Sequence, residues 1–364
     1  MPSSFREPER LPKERELHHW ADYAELSCLI SEDGLYAPSQ LSVQIRRGRD
    51  NGEATVETTQ GDAILDDRTI DALLGISESD KESVEYPGSP WDEDFDPNTS
   101  KENEASDSAV LADNLSRRVD DVWRHLQYRA KSFGDNWPFT LEASAQALTL
   151  RAELSDSQKV YLFLLQCALL RYRTKQEMSS LTKAFERASY IAFKAAFTGW
   201  EVHIFGTTSP SGSRFAQAQL WDRLVILSSD LRGRLLVDKE HVSDQNVGDN
   251  GLDLVAWLPL PEKSKGLPMA FAQCACGASN WKDKQAEATI QRWGEAIKLS
   301  APIQNWLFIP FCFHGPQGDW ETPFDVHNGV LADRLRIFHL LDRSIGDVRD
   351  LLGEFGLLDS LGHA

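Results

Sequence analysis

Apolar positions recur at two different periods along this chain. Between Ala109 and Gly199 they return every three to four residues, the spacing of amphipathic helices. "VLADNLSRRVDDVWRHLQYRAKSF" reads as one such helix, and "FGDNWPF" breaks it with Gly and Pro. "LSDSQKVYLFLLQCALLRYR" follows from a cap at Ser155 or Asp156. "SSLTKAFERASYIAFKAAF" sets Phe185, Ala188, Ser189, Ala192, Ala196 and Phe197 on one face. After Gly199 the apolar residues gather into short runs bounded by Gly and Pro, which predict strands. These are "WEVHIFG", "GLDLVAWLPLP", "LPMAFAQCACG" and "QNWLFIPFCFHG". Helices are expected at "RFAQAQLWDRLVILSSDLRG", "KDKQAEATIQRWGEAIKLS", "GVLADRLRIFHLLD" and "IGDVRDLLGEFGLLDSL". From Thr182 onward the predicted order is α-β-α-β-β-α-β-α-α, an α/β core with a mixed sheet.

The start of the chain reads differently. "HHWADYAELSCLI" has helical spacing through Trp20, Tyr23, Ala24, Leu26 and Ser27. "DGLYAPSQLSVQIRRG" predicts a turn and a short alternating stretch, and "LDDRTIDALLG" a short helix stopped by Gly. The pattern divides the chain into a small N-terminal module over 1–75, a linker over 76–108, a helical region over 109–181 and an α/β region over 182–364. The linker is set apart by charge. Glu78 to Ser108 holds eleven Asp and Glu against two Lys, a net of −9 within a chain total of −18. So acidic and aliphatic-poor a segment cannot offset its ordering entropy and is expected to be disordered, with Trp91 and Phe95 as a docking motif at most. The rest of the chain is only mildly acidic, so charge neither supports nor excludes a nucleic-acid partner.

Composition narrows the class. With 364 residues, 41% hydrophobic and 26% charged, the chain is long enough for a full core and is not collagen-like, wholly disordered or membrane-spanning. No apolar run reaches the ~18 residues of a transmembrane helix, and Met1 to Glu16 has no apolar stretch of a secretory signal. Five cysteines without a disulfide spacing fit a reducing cytoplasm.

Chemistry concentrates in the α/β region. Asp253 opens an apolar strand, and twenty residues later Gln273 lies inside the next one. Two polar groups entering a sheet from adjacent strands can meet at one edge, and a carboxylate with a second oxygen donor suits a hard cation such as Mg²⁺. Glu186, on the helix "FERASYIAF", offers a third oxygen ligand. Lys282 and Lys284, after "CGASNW", offer an ammonium for a phosphate. Each residue also has an ordinary role open to it. Asp253 suits a turn, Gln273 a satisfied core amide, Glu186 a helix-face ion pair, and the lysines a solvated helix.

Asp253, the gap, and the strand "FAQCACGASNW" resemble the PD-(D/E)XK nuclease superfamily, of the bacterial phage-defence type. There Asp is followed by Glu or Gln, any residue, and Lys on two adjacent strands. The resemblance covers roughly Thr182 to Asp342. It implies a restriction-endonuclease-like core, preceded by the helical region and N-terminal module. It implies a Mg²⁺-dependent endonuclease hydrolysing DNA phosphodiesters, with Mn²⁺ as substitute metal. Asp253, Gln273 and Glu186 would hold the metal, and Asp253, Gln273, Lys284 and Lys282 would carry the chemistry. It further implies a role in restriction or anti-phage defence beside a co-encoded partner such as an ATPase or sensor, with homo-oligomerisation open. One position departs: two after Gln273 stands Ala275, so the lysine must have migrated to 282 or 284. If neither reaches the site, the chain is an inactive nuclease-fold adaptor or DNA-binding subunit.

A competing constellation is Cys274 and Cys276 on one strand with Cys312 and His314 on the next, four N/S donors of the kind zinc takes. The i, i+2 spacing differs from the usual Cys-x-x-Cys knuckle, and core packing is the alternative. The pair His18 and His19 does not share a helix face. No P-loop, dinucleotide fingerprint or nucleophile elbow is present.

Overall fold

A computed structural model of the protein describes residues 5–6, 10–12, 16–52, 104–142, 147–206, 208–216, 219–242, 251–278 and 280–357. The helix expected at 65–75 and the linker as far as 103 lie outside the described residues.

The N-terminal region holds α1 (Leu17–Ile30), β1 (Leu35–Tyr36) and α2 (Pro38–Gly52). Helix α2 stands where an alternating stretch was expected. Its Pro38 occupies the first helical position, where a missing N–H costs nothing. The long α3 (Glu104–Phe133) follows. Then β2 (Phe139–Glu142) and β3 (Ala147–Leu150) form a hairpin inside what reads as a helical region. Four-residue strands leave too short a pattern to betray their period. Pairing with β1 makes them a three-stranded antiparallel sheet in the order β1-β3-β2.

Polar caps start the next two helices. In α4 (Asp156–Ala168) Ser155 and Gln158 close a reciprocal capping box, and in α5 (Lys175–Ala196) Thr174 and Glu177 do the same. The remaining elements are β4 (Glu201–Ile204), α6 (Leu220–Asp230), β5 (Arg234–Leu235), β6 (Leu254–Trp257), β7 (Met269–Cys274), α7 (Trp281–Lys284), α8 (Ile290–Ala296), β8 (Ile297–Lys298), β9 (Ile303–Phe308), β10 (Val330–Ala332), α9 (Arg334–Leu341) and α10 (Ile345–Glu354). The helix expected over 282–300 is interrupted between Lys284 and Ile290. The carbonyls of Gln285 and Glu287 accept side-chain N–H groups of Asn305 and Trp293, at 2.7 and 3.0 Å. The stretch expected to be wholly helical from Gly329 begins instead with β10. That strand pairs with Trp306–Phe308, and Asp333 then caps α9.

The central sheet is α/β and mixed, five strands in the order β10-β9-β7-β6-β4. Strands β4, β6 and β7 form an antiparallel meander, and β7, β9 and β10 run parallel. Side chains alternate between its two faces. Leu254, Ala256, Ala270 and Ala272 pack with Ala184, Phe185 and Ala188 of α5. Val255, Trp257, Met269 and Phe271 pack with Leu224 and Leu227 of α6 and Trp293 of α8.

The α5-side core continues without a break to Trp20 in α1 and Leu352 in α10. A buried ion cluster ties its helices together. Arg129 of α3 meets Asp22 at 2.7 Å and Glu25 at 2.9 Å, both on α1. Arg334 of α9 reaches Asp22 at 2.9 Å. Tyr161 of α4 and Trp137 donate to Glu25 at 2.7 and 3.0 Å. Among the described residues, no helix is long and apolar enough to cross a membrane.

Candidate functional site

Asp253 sits where β4, β6 and β7 meet. Its N–H donates to the Ala272 carbonyl at 3.0 Å, and its own carbonyl accepts the N–H groups of Phe205 and Gly206, at 2.7 and 3.2 Å. Its carboxylate accepts the backbone N–H of Cys274 at 2.6 Å. The residue is 7% exposed. The turn before it depends on Gly251, whose φ of 74° lies in the left-handed region. A Cβ at Gly251 would also stand 2.7 Å from the Glu287 carboxylate, which packs directly over this turn.

Gln273 is the matching residue on the next strand. The β6–β7 ladder pairs Leu254 with Ala272, and Asp253 and Gln273 are the next residues outward on each strand. Both continue the phase of Val255 and Phe271, the sheet face turned toward α6 and α8. Gln273 is 5% exposed, and its amide oxygen, fully buried, has no hydrogen-bond partner among the described residues. A buried acceptor left alone costs about 1–3 kcal/mol.

Glu186 reaches the same end of the sheet from α5. It is held by the hydroxyl of Thr208, in the loop after β4. Lys284, the last residue of α7, is buried. The Cys276 thiol shows how these groups gather. Burial raises its pKa, the Lys284 ammonium lowers it, and the Asp253 and Glu186 carboxylates raise it again. The Cys274 thiol is likewise raised, first by burial and then by Asp253 and Glu186. Two carboxylates and one ammonium thus lie within electrostatic reach of one short stretch, 274–276.

Lys282 is not in this group. Its ammonium is held between Asp325, at 2.9 Å, and Glu16, at 3.2 Å. Ala275, at the position where the lysine of the superfamily pattern would stand, is buried in an apolar cluster with Trp281, Leu307 and Phe311. Thr208 escaped the sequence reading because its partner lies 22 residues away and no local pattern marks it.

The donor chemistry suits a hard cation. Asp253 and Gln273 offer oxygens from one face of the sheet and Glu186 from the helix packed on the other, and the Gln273 oxygen, without a partner among the described residues, is a position a ligand would satisfy. The neighbouring thiols, raised by burial, stay protonated and are poor ligands. Among the described residues no group of three or more His, Cys, Asp and Glu side chains is placed to hold a metal ion. This speaks against the zinc arrangement of Cys274, Cys276, Cys312 and His314. Cys312 is instead a core thiol, pushed up to about 12 by burial, and His314 Nδ1 is bonded to Asp333 at 2.7 Å.

Comparison of the chain with family models, with curated proteins and with solved structures finds no match.

Proposed function

We propose that this protein is a Mg²⁺-dependent endonuclease that hydrolyses DNA phosphodiester bonds. The observation that carries the reading is the buried, unpartnered amide oxygen of Gln273, one ladder step from the buried Asp253 carboxylate. An unsatisfied acceptor beside a carboxylate is an arrangement whose cost a bound cation offsets. The mixed sheet with its motif residues on adjacent strands, and Glu186 on the helix packed against it, supports a PD-(D/E)XK-like core.

Asp253, Gln273 and Glu186 would hold Mg²⁺, or Mn²⁺ in its place, which would lower the pKa of a water and draw charge from the phosphoryl oxygens. The chain's own groups do the rest. Asp253 and Glu186, each fixed by a hydrogen bond, set the negative wall of the site. Lys284, buried at the end of α7, would supply the positive charge that stabilises negative charge gathering on phosphorus. Lys282, committed to two carboxylates, serves the frame and not the reaction.

The acidic stretch 78–108 and the net charge of −18 favour a protein brought to DNA by a partner, such as a co-encoded ATPase or sensor in anti-phage defence or restriction. Full-rate cutting by the isolated protein would overturn that partner requirement. The free cysteines fit action in a reducing cytoplasm.

The test is incubation of supercoiled plasmid with the protein in Mg²⁺, Mn²⁺ or EDTA, beside Asp253→Asn, with and without the neighbouring gene product. Metal-dependent nicking that Asp253→Asn abolishes supports the reading. Absence of cutting under every condition favours the second reading, an inactive nuclease-fold adaptor or DNA-binding subunit. The observation on that side is Ala275, buried at 1% exposure where a lysine is expected.

A further inference from the structure

Among the described residues, two buried histidines are held through Nδ1 by a carboxylate, and they differ at the other nitrogen. His18 Nδ1 meets Glu321 at 2.6 Å, and its Nε2 is sealed inside the protein. His314 Nδ1 meets Asp333 at 2.7 Å, and its side chain keeps 11% of its surface exposed, against 1% for His18. A carboxylate only accepts, so the His314 ring carries its proton on Nδ1 and presents a lone pair on Nε2. Among the described residues the bond to Asp333 is the one hydrogen bond this ring makes, which leaves Nε2 uncommitted.

The surroundings fix this geometry. Asp333 is fully buried, and the oxygen that holds His314 also accepts the N–H of Phe313 at 3.0 Å. The hairpin 313–321 closes through the Glu321 N–H to the Phe313 carbonyl at 3.1 Å and the Gly315 N–H to the Asp319 carbonyl at 2.8 Å. It sets the Trp320 ring 4.3 Å from the His314 ring, centre to centre. Arg336 comes to the same place from α9. Its backbone N–H donates to the other Asp333 oxygen at 3.1 Å, and its guanidinium stands 4.5 Å from the centre of the Trp320 ring. Its side chain is exposed, and among the described residues only Nη1 is engaged, by the Leu331 carbonyl at 2.8 Å. One indole thus touches an imidazole with an open Nε2 and a guanidinium with donors to spare.

An imidazole oriented by a carboxylate is a nucleophile, and a guanidinium matches the oxygens of a phosphoryl group. The narrow opening at His314 suits a small donor. We propose that His314 is a phosphoryl-acceptor site, taking the group onto Nε2 from a small donor of the phosphoramidate or acyl-phosphate class. The Nε2 lone pair forms the new N–P bond as the bond from phosphorus to the donor's nitrogen or oxygen breaks. That electron pair leaves with the departing amine or carboxylate. Nδ1 keeps its proton, so the ring becomes a cation, and the Asp333 carboxylate balances it. Arg336 supplies donors for the phosphoryl oxygens. The site lies outside the nuclease reading and stands or falls without it.

The experiment incubates the full chain with potassium phosphoramidate and, in parallel, with acetyl phosphate. Peptides kept at alkaline pH are read by mass spectrometry, and phosphorus NMR of nitrogen-labelled protein identifies the ring nitrogen that carries the group. With at least one donor, His314 is expected to be phosphorylated on Nε2 at least about 10-fold faster than the exposed His327 and His339 of the same chain. The donor that reacts names the class. Arg336→Gln, a surface change, is expected to slow His314 by about 10-fold and to leave His327 and His339 as they were. A His314 rate no greater than theirs with both donors, attachment at Nδ1, or an unchanged His314 rate in Arg336→Gln would each overturn the proposal.

Discussion

Glu321 and His18 meet at 2.6 Å, although 303 residues separate them in the chain. The Glu321 carboxylate also accepts the N–H groups of Leu17 and His18, so a residue near the end of the chain caps the first helix. Burial would raise this carboxyl, but the hydrogen bond and charge of His18 outweigh it and hold the group at about 2.

This junction makes stability depend on pH. Burial, then Arg129, lowers His125 to about 3, and neither of its ring nitrogens has a hydrogen-bond partner among the described residues. Burial, then His18, Arg171, Arg129 and Lys282, lowers His19 well below 6.5. His125 also faces Glu321, His18 and Asp22. All three groups have folded values below their unfolded ones. Their stabilisation is therefore complete above pH 6.5 and is lost as pH falls, first through the two histidines and then, below 4.5, through Glu321. Urea unfolding between pH 8 and 5 is expected to show this loss, and His125→Leu to make it shallower. A pH-independent unfolding free energy over that range would contradict it.

Asp253 has two roles that substitution separates. Asp253→Asn keeps an oxygen for the Cys274 N–H but removes the charge. It is expected to hold the thermal midpoint while Mg²⁺-dependent nicking falls by about 100-fold or more. Asp253→Ala removes the acceptor as well and is expected to cost an additional roughly 1–3 kcal/mol of stability. Equal nicking by wild type and Asp253→Asn would remove this residue from the chemistry.

Gln273 sits in the core at the expense of stability. Gln273→Leu removes the unpartnered oxygen and keeps an apolar stem, so it is expected to raise stability by about 1 kcal/mol and to abolish nicking. Calorimetric melting together with the plasmid assay reads both. A destabilised yet fully active variant would show that the amide serves the fold.

The ion cluster should resist partial removal. Arg129→Met leaves Asp22 and Glu25 buried with Arg334 as their one remaining arginine in the cluster. Breaking a buried pair in this way costs about 3–5 kcal/mol. Chemical denaturation is the measurement, and a loss under 1 kcal/mol would mean that water or rearrangement replaces the guanidinium.

The sequence alone determined the alternation of short apolar runs after Gly199, the capped helix at 156–168, the apolar face of the helix from 179 to 196, and the polar breaks at Asp253 and Gln273. Each is a local signal, set by side-chain period or by a cap within four residues. What lies between adjacent residues in space but not in sequence was decided by the tertiary structure. The four-residue strands β2 and β3 form because they pair with each other and with β1, and α7 stops because Asn305 and Trp293 claim its following carbonyls. Lys282 and Lys284 read alike in sequence, two lysines on one predicted helix. Only the fold separated them, by placing Glu16 and Asp325 beside the first and burying the second within electrostatic reach of Cys276. The physical reason is that charge responds to what is near in space, and periodicity carries no information about contacts as distant as residues 16 and 282.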